Sequence, residues 1–273
     1  MTETTDNATQ HRNDMYGNIE SRSEDDPNVS ALIPAATVVL LRDGVSGVEV
    51  LMLRKNSKIT FGGMWVFPGG KIDAADYPGG EVDANNIESA ARAAAVRETE
   101  EEAGITVASE DYVFLSHWTP PPGQQKRFAT WFFVAKVQGA MDVAIDDGEI
   151  KDHAWLNPAE ALRKHGEGEI DLVPPTWVTL YHLSLKASAD AVIEHFGQNT
   201  GITYNTRVVP AASGERVAMW KGDAGYDEWN PDIEGAATVW PCLRVASCLR
   251  TRSSVTETFA DVVRRRDARC APC

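Results

Sequence analysis

The chain has 273 residues, 43% of them hydrophobic and 24% charged, which is enough to bury one substantial core. Its formal net charge of -14 excludes nonspecific binding to nucleic acid or to an anionic membrane, because such binding needs clustered Lys and Arg. Since no apolar run reaches the roughly 20 residues of a membrane helix and the start lacks the layout of a signal peptide, we expect a cytoplasmic protein with no membrane partner.

The first elements read as a disordered segment followed by strands. Residues 1–30 carry seven acidic residues against two arginines and have little to bury, a composition typical of disorder. Apolar, β-branched runs at 32–41 and 48–54 predict two strands at hairpin distance. Residues 65–72 predict a short strand broken by a Pro-Gly-Gly bend, and a polar insertion follows at 73–86.

Helices and strands then alternate. The alanine-rich stretch 87–104 predicts a helix that ends at Gly104, and further strands are expected at 112–118, 128–137 and 149–156. Later helices are expected at 158–164, 175–185 and 187–196. This order predicts a mixed sheet covered on both faces, an α/β/α sandwich.

The last residues differ in composition from everything before them. Residues 241–273 contain all four cysteines and seven arginines against three acidic residues. One C-x-x-C pair, Cys270 and Cys273, has no second pair to complete a zinc site, so free thiols are the simpler interpretation. The abrupt change in charge predicts a poorly ordered tail.

Three glutamates on the alanine-rich helix are the first candidates for chemistry. At 100° per residue, Glu98, Glu101 and Glu102 share one face about 100° wide. Like charges at this spacing repel, so helix stability gives no reason to group them. A hard cation such as Mg²⁺ or Mn²⁺ does, because it prefers carboxylate oxygens. On these residues alone, a solvated acidic face remains the alternative.

A longer motif surrounds these glutamates. Gly70, together with the run RETEEEAGI at 97–105, resembles the Nudix box, G-x5-E-x7-R-E-U-x-E-E-x-G-U, and the run FPGG at 67–70 precedes it. The resemblance implies a Nudix-type fold over residues 31–185 and hydrolysis of a diphosphate bond. It does not reach residues 186–240, which we expect to form a C-terminal extension of helix and short strands. It also implies that Glu98, Glu101, Glu102 and the Gly70 carbonyl bind Mg²⁺ or Mn²⁺ and that Arg97 orients the cluster.

The motif is interrupted in this chain. The insertion at 73–86 stretches the spacing between glycine and glutamate, and Ser89 stands eight residues before Arg97, where the box has a glutamate. Glu88 is adjacent and is a candidate substitute. For the base that activates water, Glu149 in an acidic loop is the best later candidate, with a solvated turn as the alternative. The separate histidines His117, His153 and His182 are expected to be structural.

The substrate prediction comes from a finer resemblance. Residues 65–76, the proline run at 120–122 and the stretch 126–133 are similar to the coenzyme A diphosphatase branch of peroxisomal-type Nudix enzymes, although Ile59 stands where that branch has an arginine. Lys126 and Arg127 are candidate phosphate contacts, with ordinary strand-end charges as the alternative. ADP-ribose, NADH or another nucleotide, and a non-catalytic nucleotide-sensing module, remain open. A homodimer is possible.

Overall fold

The computed structural model describes residues 26–58, 60–139, 141–212 and 216–234. The tail at 241–273 with its four cysteines, and most of the segment at 1–30, lie outside these ranges, so both predictions of disorder stay predictions. None of the helices in the described ranges has both the length and the apolar character needed to cross a bilayer.

The helices and strands follow the predicted order closely. The strands are β1 Leu32–Gly44, β2 Gly47–Lys55, β3 Trp65–Val66, β4 Gly69–Lys71, β5 Val113–Thr119, β6 Arg127–Lys136, β7 Ile150–Leu156, β8 Ile202–Asn205, β9 Arg207–Pro210 and β10 Arg216–Met219. The helices are α1 Ile87–Ala103, α2 Pro158–Gly166, α3 Pro174–Ser184 and α4 Ala189–Gly197. As predicted, Gly104 ends α1 in a left-handed conformation, with φ of +66°, and its N–H donates to the Glu100 carbonyl.

Eight strands of the described ranges form one mixed sheet. Its main path runs β3-β2-β1-β6-β5-β8, with β4 paired to β1 and β7 paired to β2. The central β1 lies parallel to β6 and antiparallel to β2 and β4, whereas β9 and β10 form a separate hairpin. Strand β1 thus lies between β6 on one edge and, on the other edge, β2 and β4, into which the Pro-Gly-Gly bend leads.

Alternating side chains on β1 divide the interior into two cores. Val38 and Leu40 pack against the alanines of α1, while Val39 and Leu41 pack on the opposite face against α2, α3 and α4. This is the alternation expected of a strand buried on both faces. The predicted α/β/α sandwich with a mixed sheet is therefore confirmed.

The predicted boundary after residue 185 does not coincide with a break in packing. Helix α4 contributes Val192 and Phe196 to the core on its side of the sheet, and β8 extends the sheet by pairing in parallel with β5. Buried Tyr204 on β8 stacks on Trp118 with ring centroids 3.9 Å apart. The first part of the extension is thus continuous with the main core.

Candidate active site

A cavity of about 1110 Å³ opens beside the Pro-Gly-Gly bend. Its lining combines two groups of side chains, and we use two names for them. The carboxylate cluster consists of Lys55, Glu98, Glu101, Glu102 and Glu149. The aromatic wall consists of Phe61, Phe67, Trp118, Phe128 and Phe132.

The three helix glutamates lie at different depths in this cavity. The side chain of Glu102 is 6% exposed, that of Glu98 is 16% exposed and that of Glu101 is 60% exposed. Glu102 accepts hydrogen bonds from Lys55 Nζ at 2.9 Å and from the Gly69 N–H at 2.9 Å. Glu100, on the other side of the helix, is exposed. Glu102 is therefore the innermost member of the cluster, while Glu101 lies at its rim.

Burial makes these carboxylates costly to keep charged. It raises the pKa of Glu102 and of Glu98, an effect that Lys55 opposes at Glu102 and Arg97 opposes at Glu98. Burial also lowers the pKa of the Lys55 ammonium, but Glu102, Glu149 and Glu98 outweigh it, so that the pKa is raised overall. The site thus contains more negative charge than its buried surroundings favour, and a cation would relieve the excess.

The donor set suits a hard divalent cation. Oxygens from Glu98, Glu101 and Glu102 line one cavity, and Glu98 packs so closely on Gly70 that a Cβ there would fall 2.3 Å from Glu98 Oε1. Across the described ranges, no three His, Cys, Asp or Glu side chains converge as a ready-made metal centre. Lys55 and Arg97 contact these glutamates through one oxygen of each carboxylate.

Arg97 connects the helix glutamates to two other segments. Its guanidinium donates to Glu98 Oε1 at 2.8 Å, to Glu101 Oε2 at 3.1 Å and to the Lys71 carbonyl at 3.0 Å. It also forms a two-point contact with Asp76, from Nε to Oδ1 at 3.1 Å and from Nη2 to Oδ2 at 3.0 Å. The planar fork of an arginine suits this bidentate contact. Arg97 therefore holds the insertion, β4 and the helix together.

Asp76 is the residue that the sequence interpretation missed. It stands six positions after Gly70, which is the place of the first glutamate in the box, so the extra residues lie between Asp76 and Arg97. The candidate substitute Glu88 is half exposed and pairs with Arg92 at 2.9 Å, and neither Glu88 nor Ser89 lines the cavity. Counting forward from the glycine, rather than back from Arg97, would have found the aspartate.

The loop at 146–149, here called the acidic loop, brings Glu149 toward the helix. The Asp146 carboxylate accepts hydrogen bonds from the N–H groups of Glu149 at 2.7 Å and Ile150 at 2.8 Å. The Asn56 N–H donates to the Glu149 carbonyl at 2.7 Å. Glu149 Oε2 lies 3.7 Å from Lys55 Nζ, which also contacts Glu102. The structure thus brings Glu149 beside the helix glutamates through a shared lysine.

Aromatic rings line another part of the cavity. Phe61 and Phe128 lie 6.3 Å apart with a tilt of 54°, and Phe67 and Phe132 meet edge to face at 6.5 Å. Phe61 has a positive φ of 61°, an uncommon conformation for a bulky residue. Such rings can stack on a planar group such as a nucleobase.

The two candidate phosphate contacts differ in environment. Lys126 is exposed and lines the cavity. Arg127 is only 2% exposed, does not line the cavity, and donates to the main-chain carbonyls of Ser30 at 3.2 Å and Pro120 at 2.9 Å. The prediction of a substrate contact at Arg127 therefore needs correction, because its guanidinium is buried among carbonyl groups and holds the chain together.

None of the three histidines His117, His153 and His182 is part of the cavity lining. His117 lies against Trp131 with ring centroids 5.1 Å apart, and His182 Nε2 lies 3.4 Å from Tyr204 Oη. Burial lowers the pKa of both. His153, on β7, pairs with Leu53 on β2. These positions agree with the expectation of structural roles.

Comparison with known proteins identifies the domain and its fold. The family model described as the NUDIX domain matches residues 31–175. A Nudix hydrolase from Alicyclobacillus acidocaldarius shares 23% identity and a TM-score of 0.54, covering 63% of this chain and 99% of that one. A MutT Nudix hydrolase from Burkholderia pseudomallei shares 16% identity and a TM-score of 0.42, covering 56% and 98%. A comparison with curated proteins finds no match.

Proposed function

The chain belongs to the Nudix family, and from this premise we propose that it is a divalent-metal-dependent hydrolase of a nucleoside-diphosphate-linked substrate. The observation that carries the proposal is the pair of largely buried carboxylates, Glu98 and Glu102, in the lining of a cavity large enough for a nucleotide. A pure binding module has no need for charges that are so costly to bury. This cost argues against the alternative of a nucleotide-sensing module.

The roles proposed for the residues follow from their positions. Glu98, Glu101, Glu102 and Gly70 would hold Mg²⁺ or Mn²⁺, whose chemistry when bound is to offset phosphate charge and to lower the pKa of a water molecule. Arg97 keeps the carboxylates oriented through its contacts with Asp76 and the Lys71 carbonyl. Glu149 is the proposed base that accepts a proton from the attacking water.

Coenzyme A or an acyl-coenzyme A is the substrate that we propose first. The sequence resemblance favours this branch, the aromatic wall suits an adenine ring, and Lys126 suits a phosphate. The insertion at 73–86 contributes only Asp73 to the cavity lining. From the rest of the insertion, Tyr77 is buried in the core on the α1 side of the sheet. ADP-ribose and NADH remain the competing substrates.

A substrate panel tests this proposal. Purified protein is incubated with coenzyme A, ADP-ribose, NADH and a dinucleoside polyphosphate, each with Mg²⁺, with Mn²⁺ or with EDTA, and the products are identified by mass spectrometry. We expect coenzyme A to give 3′,5′-ADP and 4′-phosphopantetheine in the presence of metal only. A kcat/KM for ADP-ribose or NADH ten times that for coenzyme A would overturn the substrate. Equal rates in EDTA would overturn the metal-dependent hydrolase.

The domain limits and the assembly are further proposals. We propose residues 31–185 as the hydrolase unit, with the extension at 186–240 packed against it and the tail at 241–273 separate from it. A homodimer is the assembly proposed for the active protein, and light scattering after size exclusion would measure it.

A further inference from the structure

We propose that Lys55 is a positioning residue that holds the Glu149 carboxylate beside Glu102. The consequence for catalysis rests on the proposed function, whereas the contact itself rests on geometry alone. Lys55 lies on β2, outside the box, and none of the sequence motifs points to it. The two carboxylates that it joins come from segments 47 residues apart along the chain, namely α1 and the acidic loop.

The Lys55 side chain lies inside the site rather than at its surface. It is 13% exposed, and its Nζ lies 2.9 Å from Glu102 Oε1 and 3.7 Å from Glu149 Oε2. The preceding residue, Arg54, is 45% exposed and pairs with Asp152 at 3.5 Å. Successive side chains on a strand point to opposite faces, so the adjacent side chains of Arg54 and Lys55 lie in different surroundings. Arg54 is therefore a matched control for Lys55.

The backbone of the acidic loop is already anchored without Lys55. Asn56 donates from its N–H to the Glu149 carbonyl at 2.7 Å and from its side-chain amide to the Gly148 carbonyl at 3.0 Å. Asp146 accepts from the N–H groups of Glu149 and Ile150. These bonds fix where the loop runs, but none of them involves the Glu149 carboxylate. The lysine supplies the contact that directs that carboxylate toward the helix.

Charge explains why a cation is needed at this point. Glu102 and Glu149 carry like charges that repel, and Glu102 is nearly buried, so removing the ammonium would leave a buried anion with only the Gly69 N–H as a charge-stabilising contact. Glu149, 65% exposed, would be free to turn toward solvent. A neutral side chain of similar length, as in Lys55→Met, should therefore release Glu149, while Lys55→Arg should keep it.

A direct contact between Lys55 and a substrate phosphate is the competing interpretation, since Lys55 lines the cavity. The two interpretations differ in which kinetic constant changes. A residue that acts through Glu149 affects kcat, and its effect disappears once Glu149 is removed. A residue that binds a remote phosphate raises KM, and its effect multiplies with that of Glu149→Gln.

The test combines two double-mutant cycles. The first cycle is measured by denaturant unfolding in EDTA, on Lys55→Met, Glu102→Gln and Glu149→Gln as single and paired variants. We expect Lys55 and Glu102 to be coupled by about tenfold in the unfolding equilibrium constant, and Lys55 and Glu149 by about threefold. The second cycle is measured by kinetics with metal. Lys55→Met should lower kcat at least tenfold while KM stays within threefold of the parent. In a protein that already carries Glu149→Gln, Lys55→Met should lower kcat by no more than a further twofold. Lys55→Arg should recover most of kcat, and Arg54→Met should match the parent.

Each arm can overturn the inference. If Lys55 and Glu149 showed no coupling in EDTA, the inference would be overturned whatever the activity. It would also be overturned if Lys55→Met changed only KM, or if its loss of kcat multiplied with that of Glu149→Gln. If the parent cleaves no diphosphate, the proposed function fails, and the cycle in EDTA still decides whether Lys55 holds Glu149.

Discussion

The carboxylate cluster and the aromatic wall share one cavity but are held in place by different forces. Ion pairs and hydrogen bonds of 2.8 to 2.9 Å fix Glu98 and Glu102 from three separate segments, namely β2, β4 and the helix itself. The rings of the wall meet one another at centroid distances of 6.3 to 6.5 Å, and the burial of their apolar surface is a non-directional force. Charges thus need defined geometry, whereas apolar surfaces tolerate adjustment.

Because of this difference, we expect the two regions to affect different kinetic constants. Transition-state stabilisation depends on placing charges to within a fraction of an ångström, so the cluster should determine kcat. Stacking on a remote group contributes about equally to the ground state and the transition state, so the wall should determine KM and the choice of substrate. Substitutions in the two regions should therefore give different kinetic signatures.

The largest effect is expected at the innermost carboxylate. Glu102→Gln keeps the shape of the side chain and the acceptor for the Gly69 N–H but removes the charge, and we expect kcat to fall by roughly 10²-fold or more. Glu100→Gln, on the exposed side of α1, is the matched control and should be active. Steady-state kinetics on the best substrate of the panel measure both, and equal activity of the two variants would contradict the account.

The next effect concerns the ion pair that organises the cluster. Asp76→Asn removes the charge opposite Arg97, and we expect kcat to fall about tenfold and the free energy of unfolding to fall by about 1–3 kcal/mol. Kinetics and denaturant unfolding measure the two losses.

Glu88, a second carboxylate that pairs with an arginine, provides the control for Asp76. Glu88→Gln breaks the more exposed pair with Arg92, so it should change stability by less than about 1 kcal/mol and leave kcat near that of the parent. If Glu88→Gln lowered kcat as much as Asp76→Asn, the assignment of Asp76 to the place of the box glutamate would fail.

A smaller and different effect is expected at the aromatic wall. Phe128→Ala removes one ring of the pair with Phe61, and we expect KM to rise about five- to tenfold while kcat stays within threefold. Phe128→Tyr, which keeps the ring, serves as the control. A loss confined to kcat would break the distinction between wall and cluster.

The smallest effect is expected at the exposed phosphate contact. Lys126→Ala should raise KM for coenzyme A about threefold and leave KM for dephospho-coenzyme A unchanged, because the proposed contact is with the 3′-phosphate that the second compound lacks. The comparison of the two substrates in the parent and the variant measures this directly. Equal changes for both substrates would place the contact elsewhere.

The sequence was sufficient to predict the layers of the fold but not the full extent of the sheet. Apolar alternation and an alanine-rich run predict β1 and α1 because each pattern is local. Strand β8 has four residues and pairs with β5 more than 80 residues earlier, so no local pattern indicates it.

The same limit applies to the candidate site. The spacing of Glu98, Glu101 and Glu102 on one helix is local and was predictable. Which cations face the cavity is not local, because it depends on where strands meet. Lys126 and Arg127 are adjacent and equally charged, yet only Lys126 lines the cavity, and Lys55 differs from Arg54 in the same way.

Whether the carboxylate cluster binds a divalent cation is the most direct test of the account. Mn²⁺ titration followed by electron paramagnetic resonance measures binding without a substrate, in the parent and in the Glu102→Gln, Glu98→Gln and Glu100→Gln variants. We expect saturable binding in the parent and in Glu100→Gln, weakened at least tenfold in the other two. Equal Mn²⁺ affinity in all four proteins would contradict the central claim that Glu98 and Glu102 form the metal site.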